Sequence, residues 1–320
     1  MLFFHKSKGV GKMEKQSPQV IERNQYWYSK LLRSVFEDIK NLNYALIKGD
    51  ILSYLAYGNF GYRFYHDVDF LLPHEDIMNL KETLYKHGFI HNLKDTQGGF
   101  REMNRIERAM YRNTHQDIEF VKFTKENIYD TIKIDLNYDL MWGEYLGKRI
   151  DISSFVKEDN SELDIYGVKA KILAPYKNFI QLCLHHYREM NAIYLFTMKN
   201  PFKKKAYEDV YFLAKKMSPE DIFSIKEFIR SYQLEPYFYY VLFYTYLLFP
   251  DDNISELLNF CENTDAKKLV NYFGLAESER KKWPFSFEER MNCNDLFLKL
   301  LPYLSKDDIH KLKMMKLYPF

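Results

Sequence analysis

The feature that most constrains the fold is an apolar run that opens with two aspartates one residue apart. In R-F-Y-H-D-V-D-F-L-L, at positions 63–72, Asp67 and Asp69 lead into a short strand that Pro73 ends. Side chains two residues apart on a strand lie on the same face, so both carboxylates point the same way. A sheet face that carries two adjacent negative charges needs a compensating cation.

Short strands and helices alternate around this run. A strand at Tyr44–Ile47 ends in Lys48-Gly49, and a helical pattern follows over Asp50–Tyr57. The other elements predicted for this half are a leading helix at 16–42, a helix at 74–87 followed by Gly88, and strands at 89–93, 115–123 and 131–138. These elements predict a small mixed sheet with helices packed on it.

A third carboxylate lies in the last of these strands, T-I-K-I-D-L-N-Y. Its isoleucines and leucine face one way, and Asp135 lies on the polar face. A neighbouring strand can bring Asp135 beside Asp67 and Asp69, and three crowded carboxylates suit Mg²⁺ shared with substrate phosphates. Asp117 and Glu119 also share a face and are the alternative source of the third carboxylate.

The second half of the chain is predicted to be helical. Residues 143–167 are charged and weakly periodic, and we interpret them as a junction between domains. Helices are predicted beyond it at 175–191, 204–217, 219–232, 235–248, 253–262, 264–273, 286–301 and 306–315. The predicted class is therefore α+β, with a leader at 1–15, a sheet domain at 16–160 and an all-helical domain at 161–320.

Composition and charge narrow the classes of function. The net charge of +2, from 46 basic and 44 acidic side chains, gives no field that would attract polymeric nucleic acid. Three scattered cysteines argue against a disulfide framework. No run is long and apolar enough to span a membrane or form a signal peptide, so we expect a cytoplasmic protein. G-V-G-K at 9–12 lacks the spacing of a phosphate-binding loop.

The stretch A-L-I-K-G-D-I-L-S-Y-L-A-Y-G-N-F-G-Y-R-F-Y-H-D-V-D-F-L-L-P carries a family resemblance. With the K-H-G-F that ends the next helix and the later I-D-L-N-Y, it resembles the bacterial uncharacterised nucleotidyltransferases of the DNA-polymerase-beta-like superfamily. Similarity extends weakly over residues 20–220. The wider superfamily has Gly-Ser at the phosphate turn, whereas Asp50 follows Gly49 here and would repel a triphosphate unless it caps the helix.

The resemblance implies a two-metal transfer of a nucleoside monophosphate from an NTP to an acceptor hydroxyl, with release of pyrophosphate. ATP is the first candidate NTP, and two Mg²⁺ ions are the expected cofactors, with Mn²⁺ as the alternative. Metal binding and catalysis would fall to Asp67, Asp69 and Asp135, and nucleotide binding to Lys48, Gly49 and Arg63. Arg63 has a second reading, in which it only orients the carboxylates.

The acceptor is open: a sugar, an antibiotic, a peptide or a protein would serve. Its pocket is predicted on the first helix after the junction, at Tyr176, Lys177, His186 and Arg188, where polar residues interrupt an apolar face. Two rival functions remain at this point. One is a non-catalytic nucleotide-binding or accessory module with the same fold, and the other is a metal phosphohydrolase built on His66-Asp67.

Overall fold

The computed structural model describes residues 18–63, 65–93, 99–111, 114–124, 131–147 and 149–314, and the leader at 1–15 lies outside them. Seven strands form one mixed sheet in the order β3-β4-β5-β2-β1-β7-β6. They are β1 (Ala45–Ile47), β2 (Val68–Leu71), β3 (Ile90–His91), β4 (Phe120–Phe123), β5 (Thr131–Asn137), β6 (Ser161–Ile165) and β7 (Val168–Ile172). A separate two-stranded ribbon joins β8 (Tyr272–Phe273) to β9 (Lys281–Lys282).

The helices divide between the two halves of the chain. Those of the first half are α1 (Pro18–Tyr26), which continues through a wide turn at Trp27–Leu32 into α2 (Arg33–Asp38), then α3 (Gly49–Tyr57), α4 (Ile77–Lys86), α5 (Arg105–Tyr111), α6 (Gly143–Leu146) and α7 (Ser153–Lys157). Those of the second half are α8 (Pro175–Asn191), α9 (Ile193–Phe196), α10 (Lys204–Ala214), α11 (Pro219–Tyr232), α12 (Glu235–Leu248), α13 (Asp252–Cys261), α14 (Thr264–Leu269), α15 (Phe287–Met291), α16 (Leu296–Leu300) and α17 (Lys306–Met314). The predicted α+β class is confirmed.

Each face of the sheet packs against a different core. Phe70 and Ile134 point to the side covered by α1, α2 and α4, where they join one buried apolar cluster. The alternate residue Leu71 belongs to a second cluster, which the second-half helices share with Ile47. Because strand side chains alternate, Asp69 lies on the face that Leu71 shares, toward the second-half helices.

The main difference from the sequence prediction is the hairpin of β6 and β7. It lies partly within the stretch interpreted as a junction, and β7 pairs in parallel with β1 through Leu46 and Ile172. The sheet therefore continues past residue 160, and the predicted split into two domains stays a prediction. The alternating Leu163, Ile165 and Val168 provided a strand signal, which the neighbouring charges concealed.

The second half follows its predicted helices closely, with two exceptions. The helix predicted at 264–273 ends at Leu269 and is followed by β8, and the helix predicted at 286–301 is divided into α15 and α16. All three cysteines are buried free thiols, as expected. In the described ranges, no helix combines the length and apolar character needed to cross a bilayer.

Candidate active site

Strand pairing brings two of the three predicted carboxylates side by side. β2 and β5 run parallel, and Asp69 is the register partner of Asp135. Asp67 lies two residues before Asp69 on the same face of the chain. Opposite residues on neighbouring strands have Cβ atoms about 4.5–5.5 Å apart, so Asp69 and Asp135 are close neighbours.

The three carboxylates affect one another electrostatically. Burial, followed by the charge of Asp69, raises the pKa of Asp135 to about 7. The same two causes, in the same order, raise the pKa of Asp67 to about 6. Both carboxyl groups therefore titrate closer to neutral pH than an ordinary aspartate does, and a divalent cation bound to them would lower their pKa values again.

Lys48 supplies the positive charge at this site in the structure. Its Nζ lies 2.5 Å from Asp69 Oδ1, with the Asp69 side chain 4% exposed. Burial lowers the pKa of Lys48, but the charge of Asp69 and its hydrogen bond outweigh burial, so the pKa is raised. Asn137 adds a hydrogen bond, with its Nδ2 donating to Asp69 Oδ1 at 3.3 Å. The ammonium group thus compensates the crowded carboxylates.

The Lys48-Gly49 turn has an unusual backbone. Lys48 has φ of 57° and Gly49 has φ of 40°, in the region that side chains other than glycine seldom adopt. The turn places both residues at the start of α3, where free N–H groups can meet an anion. A Cβ on Gly49 would lie 3.4 Å from the Tyr65 ring. A strained Lys next to a carboxylate pair is a feature typical of functional sites.

Asp50 does not cap α3, so that expectation was wrong. Its side chain is 1% exposed and accepts hydrogen bonds from Tyr65 Oη and from Asn24 Nδ2. Burial raises its pKa to about 6, against these hydrogen bonds. Its carboxyl group is therefore paired with Tyr65, the ring next to Gly49, and with Asn24 of α1.

Arg63 contacts a residue that was not predicted. Its Nη2 lies 3.0 Å from Asp209 Oδ2, and Asp209 is 0% exposed on α10. Tyr57 Oη donates to the other carboxylate oxygen at 2.5 Å. Among the described residues no ion pair joins Arg63 to Asp67 or Asp69, and the reading in which it orients those carboxylates stays a prediction. Its role in nucleotide binding stays a prediction.

Helix α8 covers the carboxylate face with one stripe of side chains. Gln181, His185 and Arg188 line a cavity of about 20 Å³. The same cavity is lined from the sheet side by His115 and Asn137. Arg188 is close enough to Lys48 to oppose its protonation, and it contacts His115 Nε2 through Nη1 and His185 Nδ1 through Nη2 at 3.4 Å. Of the four predicted acceptor residues, Arg188 is the one that lines this cavity, and it lies near Lys48.

The other three predicted acceptor residues lie elsewhere. Lys177 Nζ donates to the carbonyl oxygens of Phe155 and Glu158 at 3.0 and 2.5 Å, and Tyr176 Oη donates to Asp159 at 3.1 Å. Both therefore tie the start of α8 to α7. His186 is buried and does not line the cavity; its neighbour His185 does. The sequence therefore predicted the position of α8 correctly, but not which of its side chains line the cavity next to the sheet.

The alternative acidic residues are already paired with cations. Asp117 contacts Lys81 and is 0% exposed in its side chain. Glu119 lies 2.9 Å from Lys133 Nζ and accepts from Asn92 at 2.6 Å. Asp135, whose pKa responds to both other aspartates, is thus the better third member of the site.

Among the described residues, one group of His, Cys, Asp or Glu side chains has ligand atoms that all lie within 4.8 Å of one another, namely His185, His186 and Glu189. The three aspartates do not meet this spacing in the structure. Glu189 Oε1 is 2.6 Å from Lys199 Nζ, and His185 Nδ1 faces the guanidinium of Arg188. Two cations therefore surround this group, which disfavours a divalent ion there. The site's carboxylate oxygens suit Mg²⁺ better, provided that Lys48 moves off Asp69.

Comparison with known proteins identifies the family. The model of the family described as uncharacterised nucleotidyltransferase matches residues 10–250. The chain belongs to this family. The match supports nucleotidyltransferase chemistry at the level of the class, and it includes the Lys48-Gly49 turn and all three aspartates.

Comparisons with individual proteins add little detail. No curated protein matches the chain. Among solved structures, the crystal structure of an antigenic nucleotidyltransferase-like protein from Paracoccidioides brasiliensis is similar at 14% identity, covering 68% of this chain and 89% of that chain, with a TM-score of 0.36. A likeness at this level carries no argument about residues.

Proposed function

We propose that the protein is a metal-dependent nucleotidyltransferase that moves a nucleoside monophosphate from an NTP to an acceptor hydroxyl and releases pyrophosphate. The observation that carries this proposal is the register of Asp69 with Asp135 on parallel strands, next to Lys48 at the start of α3. The family supports the transferase class. The use of a metal ion, an NTP and an acceptor hydroxyl is proposed beyond what the family match supports.

The residues have separate tasks in this proposal. Asp67, Asp69 and Asp135 would hold two Mg²⁺ ions, and the chemistry that these ions would supply is neutralisation of the negative charge on the phosphates. Lys48 leaves Asp69 and meets phosphate oxygens beside the free N–H groups of α3. Asp135 is proposed to help accept the proton of the acceptor hydroxyl.

The acceptor is proposed to approach from α8. His185 and Arg188 line the cavity beside the carboxylates, so they replace His186, Tyr176 and Lys177 as the acceptor-side residues of this helix. Arg188 carries a positive charge at a place where an attacking hydroxyl would have to enter. ATP stays the first candidate donor, and the protein is proposed to act in the cytoplasm on a small or protein acceptor rather than on a nucleic-acid polymer.

The first test measures the melting temperature with ATP and Mg²⁺, alone and together. We expect the pair to stabilise the parent by about 2.7 kcal/mol at a hundredfold excess over the dissociation constant. Asp69→Asn should lose this stabilisation because it removes a metal ligand, whereas the exposed Asp252→Asn should keep it. Equal stabilisation of Asp69→Asn and the parent would reject the metal site.

A second measurement separates catalysis from mere binding. Each labelled NTP is incubated with the protein and a metabolite and protein extract, and pyrophosphate release and label transfer are followed. Transfer that requires Asp135 supports the enzyme. Stabilisation by Mg²⁺-ATP without any transfer would favour the non-catalytic module instead.

A further inference from the structure

The largest cavity described for the second half of the chain is separate from the carboxylate site. It has a volume of about 450 Å³ and lies between the start of α12, the helix α14 and the residues that follow β8. Small-molecule sites commonly have volumes of about 300–1,000 Å³. Most of its walls come from residues beyond 250, where the family match ends.

Arg280 is the residue in this cavity that most needs a partner. Its Nε is buried and has no hydrogen-bond partner, and the guanidinium makes no ion pair with any described residue. A buried guanidinium donor without an acceptor costs free energy that a bound oxyanion would recover. The side chain also lines the cavity, so an oxyanion there is within its reach.

The aromatic wall beside Arg280 is formed by Tyr237, which packs on two buried aromatic rings that do not themselves line the cavity. Tyr237 lines the cavity, and its ring centroid lies 4.7 Å from that of Tyr187 and 5.6 Å from that of Trp142. Tyr187 Oη and Trp142 Nε1 are buried without hydrogen-bond partners. Burial raises the pKa of Tyr237, and the positive charge of Arg280 opposes that rise, which places the guanidinium near the ring.

The charges at the rim restrict the ligand. Lys268 lines the cavity and is exposed, and it makes no ion pair with a described residue. Asp265 and Glu277 line the same cavity and are exposed as well. Their negative charges disfavour a dianion such as a phosphate monoester, while a single negative charge can be held by Arg280. Tyr237 and Tyr272 offer flat apolar surface for the rest of the molecule.

We propose that this cavity binds a small carboxylate with a flat apolar body, in which Arg280 holds the carboxylate group and Tyr237 and Tyr272 pack on the body. This site gives the residues beyond 250 a binding role, and it does not depend on the nucleotidyltransferase proposal.

The experiment adds benzoate as the probe to the full chain. Binding is measured by saturation-transfer NMR and by the shift in melting temperature. We expect saturable binding to the parent and binding roughly tenfold or more weaker in Arg280→Gln, because the charged hydrogen bonds are lost. The matched control is Arg230→Gln on the exposed surface of α11, which should bind benzoate like the parent. Benzyl alcohol, which has the same body without the charge, should bind far more weakly than benzoate.

Three results would overturn the proposal. They are no saturable binding of benzoate, equal binding by Arg280→Gln and the parent, and phenyl phosphate binding more tightly than benzoate. The melting temperatures of the variants without probe show whether Arg280→Gln folds. If Arg280→Gln does not fold, Lys268→Gln at the exposed rim is tested instead. Lys268→Gln should keep the fold and weaken benzoate binding a few-fold, because it removes an exposed positive charge. Unchanged benzoate binding in Lys268→Gln would then count against the site.

Discussion

At the scale of single residues, the ammonium group of Lys48 compensates the negative charge of the crowded carboxylates. Its ammonium group is 2.5 Å from Asp69, and its neighbours include Asp135. The strand at 67–72 was expected to need a cation, and the residue that provides one lies in the predicted phosphate turn. A metal ion at Asp69 would compete with this ammonium group for Asp69 Oδ1, so we expect the proposed binding of a metal to be coupled to displacement of Lys48.

This coupling predicts the behaviour of Lys48→Met. Without divalent cations the variant should lose about 3 kcal/mol of unfolding free energy, because buried carboxylates lose their counter-ion. Millimolar Mg²⁺ should recover more stability in the variant than in the parent, since the amine no longer competes for Asp69. Urea unfolding with and without Mg²⁺ measures both effects. Lys169→Met, at an exposed position, should change stability by at most about 0.5 kcal/mol; a similarly small change in Lys48→Met would contradict the coupling.

Asp50 gives a prediction about pH. Its folded-state pKa of about 6 lies above the ordinary value of 3.8, so its contribution to stability is present at low pH and is lost as the pH rises through 6. Asp50→Asn lacks this titration. The unfolding free energy of the variant relative to the parent should therefore rise by about 2 kcal/mol between pH 4.5 and 7.5. Urea unfolding at the two pH values measures it, and Asp252→Asn should show no such change. A pH-independent difference for Asp50→Asn would be inconsistent with the raised pKa.

At the scale of elements, α3 and α10 are joined through Asp209. This carboxylate is fully buried and binds both Arg63 and Tyr57 Oη, so it fixes the end of α3 and the loop that leads to Asp67. Lys205 Nζ lies 4.4 Å from the centre of the Tyr57 ring and adds to the contact. The position of Asp67 and of strand β2 thus depends on a helix more than a hundred residues away in the sequence.

Asp209→Ala should therefore be strongly destabilising. We expect a loss of about 3–5 kcal/mol, because Arg63 is left without its counter-ion in a largely buried setting. The matched control is Glu208→Ala on the same helix, whose surface pair with Lys204 at 3.5 Å should contribute at most about 1 kcal/mol. Chemical denaturation of both variants tests this. Equal effects of the two substitutions would show that the Asp209 contacts are not structural.

The sequence predicted elements better than it predicted contacts between them. The alternation in β5 was enough to place Asp135 on the face opposite Ile134, and the pattern around 175–191 was enough for α8. The pairing of Arg63 with Asp209 could not be predicted, because nothing in local periodicity specifies a partner 146 residues away. The sequence also did not predict that His185, rather than His186, lines the cavity next to the sheet. An amphipathic helix with polar residues on several sides has no single apolar stripe that would decide between the two.

At the scale of the whole molecule, one apolar cluster connects the sheet to the end of the chain. Ile47 and Leu71 from the sheet belong to the same buried cluster as Trp283 and Leu312. Hydrogen bonds also join the residues before α10 to the end of α15, where Asn200 Nδ2 donates to the carbonyl oxygens of Arg290 and Cys293 at 2.8 and 2.7 Å. The described residues beyond 250 therefore contribute to the core that supports the carboxylate face.

A shared core predicts that the chain unfolds in one step. Far-UV circular dichroism, which follows all helices, and tryptophan fluorescence, which includes Trp283, should give the same midpoint in urea, because two-state unfolding makes different probes coincide. Trp283→Ala should lower both midpoints together, because removal of a buried aromatic side chain costs about 3–5 kcal/mol of unfolding free energy. The control Phe223→Ala, at a 65% exposed position, should leave both midpoints nearly unchanged. Two separate transitions, with Trp283→Ala moving one of them, would show instead that the sheet and the helical part fold as independent domains, as the predicted division at residue 160 implies.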